Sequence, residues 1–220
     1  KISKDKNIII FFNGEIYNYK ELNEIYFPKI NIKSDTEILL RMYEKFGLNI
    51  EYLPAPLDVK KFTNIPKSEL KDQIVFIGRD SSEKGIDILK SIESSINSKV
   101  IYCTNTDWVE TMKILQQSKL LVVPSRQESL PQVIKEAFYL KVPVIATNVG
   151  GISELVEHNQ TGILVPSENP EKLKIAINNL LENFELQEIL KENAYNFILE
   201  YFTWEKLLPK YIKFYDDLLN

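Results

Sequence analysis

Residues 120–140 have the sequence LLVVPSRQESLPQVIKEAFYL, which contains the clearest fold signal in the chain. Its first five residues are apolar, which is typical of a strand that is buried on both faces of a sheet. A polar loop over 124–132 then leads into residues 131–140, which have the apolar spacing of a helix. A buried strand, a loop and a helix in this order predict one unit of a parallel α/β sheet.

The same alternation extends outward through residues 51–220. Apolar runs predict further strands at 74–78, 99–103, 143–147 and 161–166. Helical spacing predicts helices at 84–95, 108–118, 151–158, 170–183, 186–200 and 203–220. Apolar strands that alternate with helices predict a doubly wound, Rossmann-like parallel sheet, covered by helices on both faces.

Residues 1–50 do not continue this pattern. They predict a strand at 7–12, a weak helix at 19–26 and a stronger helix at 34–47 that begins with a capping box. We therefore expect two parts in the chain, a small α+β segment over 1–50 and an α/β domain over 51–220.

The composition of the 220 residues excludes several classes of protein. The 27 Lys and Arg residues and 31 Asp and Glu residues give a net charge of −4, which argues against non-specific nucleic-acid binding. A single cysteine and a single histidine exclude an internal disulfide and a zinc site built from these residues, and no D-x-D motif occurs. We expect no metal and no cofactor.

Without an apolar run of about 18 residues or a signal peptide, we expect a cytoplasmic protein and no transmembrane segment.

Polar residues gather at one edge of the predicted sheet. Ligands of open parallel sheets bind beyond the carboxyl ends of the strands, where the loops 78–84, 124–132 and 148–153 are expected to lie. Arg79 and Lys84 fall in the first of these loops. Ser129 and Gln132 are spaced as a capping box, so the backbone amides of a helix N-terminus are expected there too. This edge therefore predicts a phosphate site.

Two carboxylates accompany these cations. Glu128 ends the second loop, and Glu136 lies in the second turn of the helix that follows. Carboxylates accept hydrogen bonds from vicinal hydroxyls, so the pair suits a nucleotide-sugar. Taken singly, Lys84 also fits a solvated lysine and Glu136 a surface helix residue.

Five motifs together resemble the donor-binding half of retaining glycosyltransferases of family 4, which have the GT-B fold. The motifs are PAPLDVKKF (54–62), VFIGRDSSEKGIDIL (75–89), VVPSRQESLPQVIKEA (122–137), VPVIATNVGGISELV (142–156) and TGILV (161–165). This resemblance implies roles for single residues. Arg79 and Lys84 would bind the donor diphosphate, Glu128 would be the catalytic residue beside the transferred sugar, and Glu136 would bind the ribose. Diphosphate contacts are also implied for Ser129, Leu130 and Gln132.

The first fifty residues resemble a different family. FFNGEIYNYKEL (11–22) and KSDTEILLRMYEKFG (33–47) are similar to the glutaminase domain of asparagine synthetases and other class II glutamine amidotransferases. The resemblance implies glutamine binding by Asn13, Gly14, Glu15 and Asp35. Cys103 lies within a predicted strand and cannot replace the N-terminal nucleophile of that family, so we do not expect glutamine hydrolysis.

The sequence thus favours a hexosyl-transferring glycosyltransferase whose partners are a nucleotide-diphosphate sugar and an acceptor that the sequence does not specify. Two alternatives stay open: a module that binds a nucleotide-sugar without turnover, and an amidotransferase remnant related to asparagine synthetase. An apolar stripe on the final helix also predicts a homodimer through that helix. The stripe consists of Leu207, Leu208, Tyr211, Phe214 and Leu218.

Overall fold

The computed structural model describes residues 19–29, 41 and 53–219, and its centre is a parallel sheet. The strands are β1 (Gln73–Ile77), β2 (Lys99–Cys103), β3 (Leu120–Val123), β4 (Val144–Thr147) and β5 (Ile163–Val165). Their spatial order is β2-β1-β3-β4-β5, and each neighbouring pair is parallel. In the register, Ile74 of β1 pairs with Val100 on one side and with Leu120 on the other.

Helices connect these strands and continue beyond the sheet. The α-helices are α1 (Tyr19–Tyr26), α2 (Ile86–Ile92), α3 (Trp108–Gln116), α4 (Gln132–Tyr139), α5 (Ile152–Leu155), α6 (Pro170–Glu182), α7 (Phe184–Tyr201) and α8 (Trp204–Leu219). Short 3₁₀ turns lie at Val59–Asn64, Ser82–Lys84 and Glu93–Ser95. None of the described helices is both long enough and apolar enough to cross a bilayer.

Each face of the sheet carries its own apolar core, because successive strand residues point to opposite faces. Val75 and Leu121 pack on one face with residues of α3, α4 and α7. Ile74 and Val122 pack on the other face, mainly with residues of α2 and α6. Burial on both faces explains why the strand sequences are apolar throughout.

The strand order creates a crevice between the carboxyl ends of β1 and β3. These two strands are neighbours, yet the helix after β1 packs on one face and the helix after β3 packs on the other. Such a reversal is the topological switch point, where open α/β sheets bind their ligands.

These observations confirm the predicted doubly wound sheet. The helix predicted at 19–26 is also present, as α1. The strand predicted at 7–12 and the helix predicted at 34–47 lie outside the described residues, apart from Arg41.

Residues 53–57 are hydrogen-bonded to α4 and to the residue that follows α7. The backbone N–H of Leu57 donates to the carbonyl oxygen of Phe202 at 2.6 Å. The fully buried Lys135 ammonium donates to the carbonyl oxygen of Ala55 at 2.8 Å and lies 5.6 Å from the Phe202 ring centroid. Burial lowers the pKa of Lys135 to about 8, because desolvation disfavours the charged form.

The predicted single stripe on the last helix is wrong. Leu207 and Phe214 are buried in the fold, whereas Leu208 is 46% exposed. Trp204 and Ile212 share the exposed row with Leu208, at 44% and 52% exposure. Adjacent residues differ by about 100° around a helix, and here that rotation separates the buried Leu207 from the exposed Leu208.

Candidate functional site

Lys84 and Glu128 form a largely buried ion pair at the switch point. Lys84 ends the 3₁₀ turn after β1, and Glu128 lies in the loop after β3. Their Nζ and Oε1 atoms are 2.8 Å apart, with side-chain exposures of 19% and 5%. The Ser125 hydroxyl donates to the same carboxylate oxygen at 2.9 Å. An ammonium has three protons, so Lys84 can donate to Glu128 and to a ligand oxygen together.

Glycines allow the neighbouring loops to approach this pair closely. Gly85 has a φ of +67°, and a Cβ there would lie 2.0 Å from the carbonyl oxygen of Pro124. Gly150 has a φ of +51°, and a Cβ there would lie 1.7 Å from the carbonyl oxygen of Glu128. All three loops predicted at this edge of the sheet are therefore packed backbone against backbone.

Arg126, in the loop after β3, links this loop to the 3₁₀ turn after β1, to α2 and to the residues before α6. Its guanidinium donates to both carboxylate oxygens of Asp87, at 2.7 and 2.8 Å, and to the carboxylate of Glu168. It also donates to the backbone carbonyl of Ser82 at 2.5 Å. Asp87 and Glu168 raise the pKa of Arg126, because each carboxylate stabilises the charged guanidinium. The planar guanidinium of Arg126 is therefore already paired with two carboxylates of the protein itself.

Arg79 stands apart from this network. Its side chain is 65% exposed, and its guanidinium lies 3.7 Å from the Glu83 carboxylate. An ion pair this exposed contributes little to stability. Both side chains lie in the loop that leaves β1, so Arg79 remains at the sheet edge where it was predicted.

The capping box predicted for α4 is wrong. The helix begins at Gln132 with Pro131 at the N-cap position, and no side chain caps it. Pro131 has an extended backbone, with φ −64° and ψ 121°, and its ring disfavours the helical conformation in Leu130, so the helix cannot begin earlier. Ser129 and Leu130 thus belong to the preceding loop, and they and Gln132 stay diphosphate-binding candidates through their backbone amides alone.

Glu136 is held by an aromatic partner that the sequence pattern did not indicate. The indole Nε1–H of Trp108 donates to Glu136 Oε1 at 2.8 Å, from the first residue of α3. Burial raises the pKa of Glu136, while this hydrogen bond and the charges of Lys135 and Lys61 lower it.

Among the predicted site residues, the structure brings Lys84 and Glu128 into contact, and it pairs Glu136 with Trp108. Asn13, Gly14, Glu15 and Asp35 lie outside the described residues.

Comparison with known families gives this site a context. The family described as "Glycosyl transferases group 1" matches residues 88–197, half of the 220-residue chain. The chain belongs to this family. The whole of this match lies within residues 53–219, which the structure describes. A second family, the glutamine amidotransferase domain, matches residues 2–53.

Individual relatives agree with the group 1 family and with its fold. An uncharacterised glycosyltransferase of Methanocaldococcus jannaschii is 29% identical over 223 residues, which cover 98% of this chain and 54% of the relative. The chain thus spans about half the length of that protein. Sucrose-phosphate synthase of Thermosynechococcus elongatus aligns with a TM-score of 0.71 at 22% identity, over 84% of this chain and 56% of that one. HepE of Anabaena, solved in complex with UDP, aligns with a TM-score of 0.67 at 16% identity, over 83% and 61% of the two chains. The α/β sheet is thus of the GT-B glycosyltransferase type.

Proposed function

We propose that residues 51–220 form the donor-binding domain of a family 4 glycosyltransferase that transfers a hexosyl group with retention of anomeric configuration. The donor is a nucleotide-diphosphate sugar, and the acceptor supplies a hydroxyl. The buried Lys84–Glu128 pair at the switch point carries this proposal, because it presents a cation and a carboxylate together where the fold binds ligands.

The charges of the site suit the departure of a nucleoside diphosphate. Negative charge grows on the diphosphate as its bond to the sugar breaks, and fixed cations and backbone amides stabilise it. Lys84 and the exposed guanidinium of Arg79 supply the cations, and the amides of residues 129–132 supply the donors. Glu128, with one oxygen held by Lys84 and Ser125, lies beside the transferred sugar. The ribose hydroxyls donate to Glu136.

Binding and turnover together test this function. We expect UDP, ADP or GDP to raise the melting temperature of the chain, because a ligand that binds only the folded state stabilises it. UDP is the first choice, since HepE was solved with it. Release of diphosphate from the matching nucleotide-sugar then separates a transferase from a binding-only module. Failure of all three diphosphates to shift the melting temperature would contradict the proposal.

A second candidate function rests on the match of residues 2–53 to the glutamine amidotransferase domain. In this proposal the segment 1–50 is a remnant that binds glutamine through Asn13, Gly14, Glu15 and Asp35. Calorimetry with glutamine tests binding, and an assay for released glutamate tests hydrolysis. Binding without glutamate release is the expected outcome for a remnant.

The exposed row of α8, formed by Trp204, Leu208 and Ile212, supports the predicted homodimer. The buried Leu207 is not part of this row. Leu208 lies at the centre of that row, so Leu208→Glu is expected to convert a dimer into a monomer by placing a charge in the interface. Light scattering after gel filtration gives the mass. Ile175→Glu is the matched control, because Ile175 is equally exposed, at 47%, on α6. A monomeric wild-type chain, or a dimer that survives Leu208→Glu, would contradict this proposal.

Location in the cytoplasm stays a prediction.

A further inference from the structure

Trp108 and Glu136 form a contact that none of the proposed roles uses. The indole N–H is donor only, and it points at one oxygen of the carboxylate at 2.8 Å. The bond fixes the rotation of the carboxylate about its last torsion. The lone pairs of the second oxygen, Oε2, are not used by this bond and can accept a further hydrogen bond.

The indole itself is held rigidly. Its ring meets the ring of Phe62 edge to face, with centroids 5.3 Å apart and planes at 73°. The Asp107 side chain caps α3 by accepting from the backbone N–H groups of Val109 and Glu110. Trp108 therefore begins a capped helix and rests on a buried aromatic ring, so its N–H has little freedom to leave Glu136.

We propose that Trp108 is the positioning residue for ribose recognition: it holds Glu136 in the orientation in which Oε2 accepts from the ribose hydroxyls. This inference rests on the proposed function, because it assumes that Glu136 contacts the ribose. Trp108 acts through the carboxylate and itself makes no contact with the hydroxyls. The indole N–H also favours the ionised carboxylate, which is an acceptor only and so suits a diol.

The first test compares ribonucleotides with their 2′-deoxy forms. In the wild-type chain, UDP, ADP or GDP, whichever binds most tightly, should bind about tenfold more tightly than its 2′-deoxy analogue. In Trp108→Phe, which keeps a ring and removes the donor, this ratio should fall to about twofold. Trp204→Phe is the matched control, because Trp204 is the other tryptophan in the chain and lies on α8. The ratio of ribonucleotide to 2′-deoxynucleotide affinity in this variant should equal that of the wild type.

A double-mutant cycle shows whether Trp108 acts through Glu136. In a Glu136→Gln background, Trp108→Phe should change the ratio by less than about twofold, because the positioned group is already altered. An equal loss in both backgrounds would overturn the inference and leave the proposed function standing. A wild-type chain that binds none of the three diphosphates would overturn both.

The pH dependence of the ratio separates positioning from general damage. The charged groups that act on Glu136 are Lys135 on the same helix and Lys61 on the turn 59–64. The pKa of Lys135 is lowered by burial only to about 8, so Lys135 stays charged at acid pH. Loss of the indole donor raises the pKa of Glu136, so protonation should abolish the ribose preference at a higher pH in Trp108→Phe than in the wild type. Titration of the diphosphate cancels in the ratio. Identical pH profiles would contradict the inference.

Fluorescence gives a readout that needs no ligand. In Trp204→Phe, Trp108 is the only remaining tryptophan, so its emission reports on the neighbouring carboxylate. We expect this emission to titrate with Glu136 at acid pH, and the titration to vanish in Trp204→Phe/Glu136→Gln. An unchanged titration in the double variant would show that Trp108 does not sense Glu136.

Discussion

Replacing Lys84 with methionine is expected to weaken nucleoside diphosphate binding by about ten- to a hundredfold, because a charge-assisted contact contributes roughly 1.5–3 kcal/mol. Affinity for the bare nucleoside should change little, since the proposed partner of the ammonium is the diphosphate. Calorimetry with UDP and uridine, or with whichever pair binds best, measures both affinities. Equal losses for nucleoside and diphosphate would remove Lys84 from the phosphate site.

The same substitution also destabilises the fold, and a second variant separates the two effects. Without Lys84, the Glu128 carboxylate, 5% exposed, loses its counterion, and breaking a buried pair costs about 3–5 kcal/mol. In Lys84→Met/Glu128→Gln the buried charge is gone and the amide oxygen can still accept from Ser125. We expect the double variant to regain most of the lost melting temperature and none of the diphosphate affinity.

The sheet and its ligand edge could be predicted because they follow from local patterns. Runs such as LLVV at β3 are apolar in every position, and this requires burial on both faces of a parallel sheet. The loops after β1, β3 and β4 then had to meet at the carboxyl edge. Cys103 was likewise expected in a strand, and it is 4% exposed at the end of β2.

Pairings between distant side chains could not be predicted in the same way. Arg126 pairs with Asp87 and Glu168, which lie about 40 residues away on opposite sides in sequence. Spacing along the chain does not identify such partners. Trp108 and Glu136 are also 28 residues apart, and nothing local marks the indole as a partner of that carboxylate.

A local rule failed where a stronger one competed with it. Ser129 and Gln132 have capping-box spacing, yet Pro131 between them takes the N-cap position of α4. A capping box needs Ser129 at the N-cap and Gln132 at the third helical position. Proline disfavours the helical conformation in the residue before it, so Leu130 cannot be the first helical residue, and the helix begins only at Gln132.

Gly150→Ala is expected to lower the free energy of unfolding by more than about 2 kcal/mol, because the left-handed conformation alone costs an L-residue about 1–2 kcal/mol. The new Cβ would also lie 1.7 Å from the carbonyl oxygen of Glu128, with a φ of +51° at the substituted residue. A backbone carbonyl cannot swing aside as a flexible side chain can. The loop that carries Glu128 must therefore shift, and donor affinity should fall at temperatures where the chain is still folded. Urea denaturation and calorimetry measure the two losses.

Gly78→Ala is the matched control for stability. Its Cβ would meet the Phe76 ring at 3.4 Å and the Lys84 side chain at 3.6 Å, which are ordinary contacts. Its φ lies outside the left-handed region, so alanine there should leave the free energy of unfolding within about 1 kcal/mol of the wild-type value. If Gly150→Ala were as stable as Gly78→Ala, the backbone of the 148–151 loop could not be packed against Glu128. The proposed diphosphate site would then lack the close contact that holds the Glu128 carboxylate beside Lys84.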